Sequence, residues 1–215
     1  MASYSRSLPG VSRSPEPANS PRRKPRQARS QASAEAVVQA AAQVLAREGY
    51  PRATTNRIAE AAGVSIGTLY QYFDSKEAVF DALTDTLLRE AVRAVVEHLD
   101  DHGATLDARL ERMAVAVIAV FARYPGVLRQ LDAALGSSFR ARLHAAKEQS
   151  RARLADTLRR AGVRRAPDLA ARVLADTAEG VLFNLTADDD RDALARELVA
   201  LATRYLADDG RSPAP

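Results

Sequence analysis

The chain has 215 residues, 47% of them apolar and 27% charged, enough for a full hydrophobic core spread over one or two domains. It contains no cysteine, which excludes disulfides, thiolate metal sites and cysteine nucleophiles, and no apolar run near the roughly 18 residues of a membrane span. Its net charge of +4 is unevenly placed: the first thirty residues carry Arg6, Arg13, Arg22, Arg23, Lys24, Arg26 and Arg29 against Glu16 alone, a balance of +6 that leaves −2 for the remainder and points to an anionic partner touched by the leading segment.

Residues 1–30 are rich in Ser, Pro and Arg and hold half of the chain's ten prolines. Such a stretch buries too little apolar surface to offset its ordering entropy, so a disordered basic arm is expected. Its last ten residues, PRRKPRQARS, suit phosphates or a minor groove; a merely solvated tail fits the same composition. No apolar segment follows the first basic residues as a secretory signal requires, so a cytoplasmic location is expected.

The first folded helix is expected over about 32–47, with Ser33 as a candidate cap. Val37, Ala40, Ala41, Val44 and Leu45 make its apolar stripe, and Gly49 stops it. From Thr54 to Lys76 the sequence TTNRIAEAAGVSIGTLYQYFDSK reads as two short helices joined at Gly63. Thr54 and Ser65 are their candidate caps. Ile58, Ala61 and Ala62 are expected on the buried face of the first, and Leu69 and Phe73 on that of the second. Gly67, Thr68, Tyr70 and Gln71 are then left outward, with Ile66 at the leading end. A glycine inside a short helix costs about 1 kcal/mol relative to alanine, and close approach of another surface would justify it. This is the form of a helix-turn-helix whose second helix enters the DNA major groove.

A fourth helix is expected to open after Ser75 and run to Leu99 through Val79, Leu83, Leu87, Val92 and Val96. At 1.5 Å per residue it is long enough to pass from one domain into another. Five further helices are expected at about 106–123, 126–135, 138–161, 168–186 and 190–207, with Pro125 and Pro167 at helix starts and Gly136 and Gly162 at ends. No stretch alternates with period two for the length of a strand. The fold class is therefore all-α, about nine helices: a basic arm (1–30), a DNA-binding domain (31–91, helix-turn-helix at 54–73) and a C-terminal bundle (92–215).

At Gly63–Glu77 the pattern G-V-S-x-G-T-L-Y-x-Y-F-x-S-K-E resembles the signature of the tetracycline-repressor-type (TetR) family of transcriptional regulators, over about fifty residues from Gln31 to Phe80. Val79 stands where the family more often has leucine, and Ile66 occupies a position that varies widely, so base preference is not inherited. The resemblance implies that Ser65, Ile66, Gly67, Thr68, Tyr70 and Gln71 face the groove, with the Gln71 amide suited to pair bidentately with adenine. Tyr72 and Lys76 are implied backbone holders, and Thr54 and Thr55 are expected to meet phosphate. Arg52 and Arg57 add charge there or are solvated surface residues. Tyr70 and Tyr72 admit a second role as half-buried core residues with wet hydroxyls. The folded helix-turn-helix is not basic, with Arg47, Arg52, Arg57 and Lys76 against five acids from Gln31 to Phe80.

One short helix reads few base pairs, so a homodimer on a palindromic operator is expected. Leu169, Val173 and Val181, with Leu194, Leu198, Leu201 and Tyr205, supply candidate dimer faces on the last two helices. The resemblance further implies an inducer pocket, for which Met113, Val117, Phe121, Leu143, Leu174 and Phe183 are candidates; residues of these types are otherwise plain core. His98, His102 and His144 lack metal-ligand spacing, and Asp188 to Asp190 suit a turn and helix cap, so neither metal nor cofactor is expected. No constellation of catalytic type supports an enzyme. The leading reading is a homodimeric repressor released by a small apolar or amphipathic effector. Its rivals are an activator, a ligand-independent DNA-binding regulator, and a helical interaction module or enzyme using the C-terminal cavity.

Overall fold

The computed structural model describes residues 26–207, among which all regular structure is helical. The elements are α1 (Arg26–Glu48), α2 (Thr55–Ala61), α3 (Ile66–Tyr70), α4 (Lys76–Leu99), α5 (Leu106–Ala122), α6 (Val127–Leu135), α7 (Ser137–Arg160), α8 (Pro167–Asn184) and α9 (Arg191–Ala207). No single helix among them is long and apolar enough to cross a membrane.

Several expectations are corrected. Helix α1 begins at Arg26, so the last five residues of the expected arm are helical and Ser33 lies inside the helix instead of capping it. Pro25 is the last proline of the leading segment, and Arg26 to Ala32 contain no residue that opposes a helix. The rest of the arm, residues 1–25, lies outside the described residues. In α2 the buried pair is Ile58 and Ala59, while Ala61 is exposed. Helix α3 ends at Tyr70, so Phe73 packs half-buried from the turn after it.

Hydroxyl and carboxylate caps place most helix starts. The side chains of Thr54, Ser65, Ser75 and Thr105 each accept the backbone N–H three residues on. Asp190 does the same for Ala193 at 2.9 Å, and Asp189 closes the preceding turn on the Thr186 N–H and hydroxyl. That backbone hydrogen bond, then the hydroxyl's, holds the Asp189 carboxyl below its ordinary range.

Helix α4 joins everything. Val79, Phe80, Leu83, Leu87 and Leu88 belong to a core that also contains Val37 to Leu45 of α1, Leu69 of α3, Leu128 and Leu131 of α6 and Phe139 of α7. One helical stretch later, Val95 and Leu99 belong to a second core with Leu110, Leu154, Leu158 and Ala170. The first core crosses the boundary expected near residue 91 without a break, because α6 packs on both α1 and α4. At the far end the Arg109 guanidinium donates to the Leu99 carbonyl and Arg153 pairs with Asp100, which fastens the C-terminus of α4.

At its near end α4 is fastened by Tyr50. The tyrosine ring lies 5.1 Å from Phe80, its hydroxyl donates to Glu77 Oε1 at 3.1 Å, and the Lys76 ammonium sits 3.8 Å from the ring centre. Lys76 also donates to the Tyr50 carbonyl at 2.5 Å. Burial, then the bond to the Glu77 carboxylate, pushes the Tyr50 hydroxyl up from 10.0 to about 12, while burial lowers the Lys76 ammonium. A tyrosine raised in the folded state stabilises fully below its unfolded value and loses that contribution as pH climbs through the folded one; Lys76 acts with the opposite sign. Tyr50→Phe keeps the ring contacts and should cost about 1 kcal/mol in urea unfolding at neutral pH. The wild-type advantage over Y50F should shrink between pH 10 and 12, the window of the Tyr50 shift.

Candidate nucleic-acid interface and apolar cavity

Helix α3 has five residues, too few to be stable alone. Its seat is Leu69, fully buried among α1, α2 and α4 residues, a burial that contributes about 1.5–3 kcal/mol. Gly63, at φ +67°, makes the turn from α2, a backbone conformation that only glycine takes cheaply. Ser65 then caps α3, accepting the Thr68 N–H at 3.0 Å, with the two hydroxyls 2.8 Å apart.

With Leu69 inward, the opposite side of α3 is open. Ile66 is 39% and Tyr70 50% exposed, and Ser65, Gly67 and Gln71 are exposed beside them. Thr68 is half-buried. A Cβ on Gly67 would meet only Ser65 Oγ, at 3.8 Å, so nothing within the protein requires glycine there. The Tyr70 hydroxyl lies 3.2 Å from Thr55 Oγ1, which ties the start of α2 to the end of α3 and joins Thr54, Thr55 and Tyr70 into one outer strip.

The cations expected at phosphate are engaged by the protein itself. Arg57 pairs with Glu48, and Arg52 Nε donates to the Glu48 carbonyl at 3.1 Å, so both turn toward the end of α1 while staying exposed. Lys76 is held by Tyr50, through its carbonyl and its ring. Tyr72 is half-buried in the turn after α3.

In the C-terminal half an apolar cavity of about 180 Å³ lies between α4, α5, α7, α8 and α9. Met113, Val117, Phe121, Leu143, Leu174 and Phe183 all line it, so the structure brings together the six pocket candidates. Four polar side chains share the lining: Lys147, Ser150, Thr177 and Glu179. The Lys147 ammonium donates to Glu179 at 2.5 Å and pairs with Asp176 at 3.1 Å; the bond to Glu179 is the main reason its ionisation is shifted up. Sequence reasoning missed this cluster, as it missed Tyr50. Asp176 and Glu179 stand one turn apart on α8, a visible signal, but their pairing with α7 depends on how the helices pack.

The residues expected at the dimer face are half-buried or exposed in the single chain, and several also pack inward. Leu194 and Leu198 pack into the main core, Leu198 also lines the cavity, and Tyr205 packs on the second core beneath the Arg165 guanidinium. Helix α9 presents its apolar stripe to α5, which single-sequence periodicity cannot distinguish from a partner. Leu169, 56% exposed, and Leu201, 47%, remain outside, with Val173 and Val181 half-buried.

Two family models match the chain: bacterial regulatory proteins of the tetR family over residues 37–83, and the tetracyclin repressor-like C-terminal domain over residues 105–206. Among curated proteins, the nucleoid occlusion factor SlmA of Actinobacillus pleuropneumoniae is 33% identical over 86 residues, 40% of this chain and 42% of that protein. The same factor of Glaesserella parasuis is 48% identical over 42 residues, 20% of this chain and 21% of its own length. The chain thus spans less than half the length of these relatives. Among solved structures, a fatty acid degradation regulator FadR from Bacillus halodurans superposes with TM-score 0.67 at 22% identity, covering 79% of this chain and 94% of that one. A TetR-like regulator from Rhodococcus sp. RHA1 gives 0.66 at 24% identity, covering 88% and 100%.

The open side of α3 has a direct energetic consequence. Ser65→Ala removes a helix cap and should lower stability by about 1 kcal/mol. Gly67→Ala meets no obstruction and should leave stability unchanged or raise it by up to about 1 kcal/mol. Urea unfolding of the two variants beside the wild type reads both.

Proposed function

The chain belongs to the tetR family of bacterial regulatory proteins, and we propose that it acts in the cytoplasm as a homodimeric, sequence-specific repressor released from a palindromic operator by a small apolar or amphipathic effector. The observation that carries the DNA-binding part is the outer side of α3: Ile66, Gly67, Tyr70 and Gln71 are exposed, and the glycine among them has no partner in the protein that demands it. A backbone without a Cβ there can approach a groove wall closely, while Gln71, the residue that ends the helix, offers its amide to a base edge. Residues 31–91 would be the reading head and 92–215 the part that senses and dimerises. Leu169 and Leu201, exposed, with half-buried Val173, Val181, Leu194, Leu198 and Tyr205, supply the face of α8 and α9 for a second copy. The SlmA similarity spans too little of the chain to bring that protein's role with it.

Release by an effector requires that the ligand prefer one arrangement of the two reading heads; equal affinity for both shifts nothing. The cavity touches α4 at Leu88, Val92 and Val95, so filling it bears on the helix that also packs against α3's seat.

Two binding experiments follow, both on a fragment selected from a random DNA pool. Gly67→Ala should weaken binding at least about tenfold without loss of stability, and Gln71→Ala should cost about 1–3 kcal/mol and relax preference at one base pair per half-site. Wild-type affinity in G67A would contradict the assignment of α3. The cations of the α2–α3 region are engaged by protein groups, so the salt dependence should come largely from the leading segment. Removing residues 1–25 leaves α1 whole and should flatten the slope of log affinity against log salt by about 0.9 for each phosphate that the arm neutralises, with site preference intact. An unchanged slope would assign that neutralisation elsewhere.

A further inference from the structure

The polar part of the cavity lining is almost entirely a set of hydrogen-bond acceptors. The Ser150 hydroxyl donates its proton to the Ala146 carbonyl at 3.0 Å, and the Thr177 hydroxyl donates to the Val173 carbonyl at 2.8 Å. Each hydroxyl has one proton, so what both offer to a ligand is lone pairs. Glu179 is a carboxylate and offers only acceptors. Lys147 is the sole cation of the lining, and two of its three N–H groups are directed at Glu179 and Asp176. Asp176 lies outside the lining and is shared with Arg172, whose Nε stands 3.7 Å from it, so the cluster is balanced in formal charge and Glu179 is its one carboxylate facing the cavity. The rest of the lining is aliphatic or aromatic, from Leu88 to Ala202.

A ligand buried here keeps its apolar body among leucines, valines and phenylalanines, and its polar end must satisfy the acceptors of Glu179, Ser150 and Thr177 in a partly dehydrated corner. A carboxylate or phosphate at that position brings like charge and no donor, and leaves the lining acceptors unpaired. A protonated amine brings donors and a charge opposite to that of Glu179, and hydrogen bonds to charged groups are the stronger ones. We propose that the effector is an amphipathic amine, an apolar body carrying a protonated nitrogen that binds among Glu179, Ser150 and Thr177. This deepens the reading of the cavity as an effector site and rests on it. It also sets the chain apart from any regulator whose ligand presents an anionic head.

The test is calorimetric titration of the full-length, DNA-free protein at neutral pH with three probes of one chain length: octylamine, octanol and octanoate. Octylamine should bind most tightly and octanoate most weakly, with at least about tenfold between them. Glu179→Gln should remove most of the preference for octylamine over octanol while leaving octanol itself little changed. Lys147→Met, which removes the cation paired with Glu179 while Asp176 keeps Arg172, should move the other way, raising octylamine affinity and weakening octanoate further. Octanoate binding as tightly as octylamine, no binding of any of the three, or an order of preference unmoved by both variants would overturn the proposal. Because the readout contains no DNA, an amine that binds in this order without altering operator affinity refutes release by effector and leaves the head-group assignment standing.

Discussion

One helix has to satisfy two cores. The N-terminal turns of α4 bury Phe80, Leu83 and Leu87 against α1 and the seat of α3, and its C-terminal turns bury Val95 and Leu99 against α5 and α7. Close-packed interiors do not deform smoothly, so a displacement forced at one end of such a helix is transmitted to the other or opposed by it. Its two ends are fastened by different chemistry. Tyr50, Lys76 and Glu77 hold the start, and the guanidinium groups of Arg109 and Arg153 hold the end. Helix α6 supplies a second path, since Leu128 and Leu131 touch the core that contains α1, and Leu128 also lines the cavity.

What this frame presents is a helix too short to stand alone. Helix α3 buries Leu69 and leaves the rest of its surface largely to solvent. Its neighbouring cations are drawn back onto Glu48 and Tyr50, so the region around it is shaped for a surface without being strongly attractive to an anion. Shape and charge are therefore separated along the chain: α3 carries an open, uncharged face, and the basic residues before residue 26 carry the positive excess. Under the function proposed above, such a division would let non-specific attraction be set by salt while recognition is set by a few side chains.

Most of the architecture is legible because helix ends announce themselves. Thr54, Ser65, Ser75 and Thr105 are capping residues in the right place, and Pro167 opens α8. The start of α1 is misplaced when a basic, proline-rich composition is extended five residues past its last proline. Ala61 fits an inward stripe by its spacing from Ile58, whereas a helix of seven residues turns whichever side its neighbours need, here Ala59. The pocket residues are visible as apolar positions, but that they enclose a space is not. Leu194, Leu198 and Tyr205 also pack half-buried on the cores, which the sequence does not show: periodicity tells which side of a helix is apolar and is silent on what covers it. Tyr50 and the Lys147 cluster are tertiary meetings, joining residues 26 to 32 positions apart, and no local pattern predicts them.

Sequence-specific binding requires α3 to enter a major groove. Methylation interference on a selected DNA fragment measures this directly, because methylation at guanine N7 marks the major groove and at adenine N3 the minor groove. N7 methylation should block binding of the full chain in two windows, about one helical turn or a multiple of it apart, on one side of the duplex. Binding indifferent to N7 methylation, with interference at N3 alone or nowhere, would contradict a groove-reading α3.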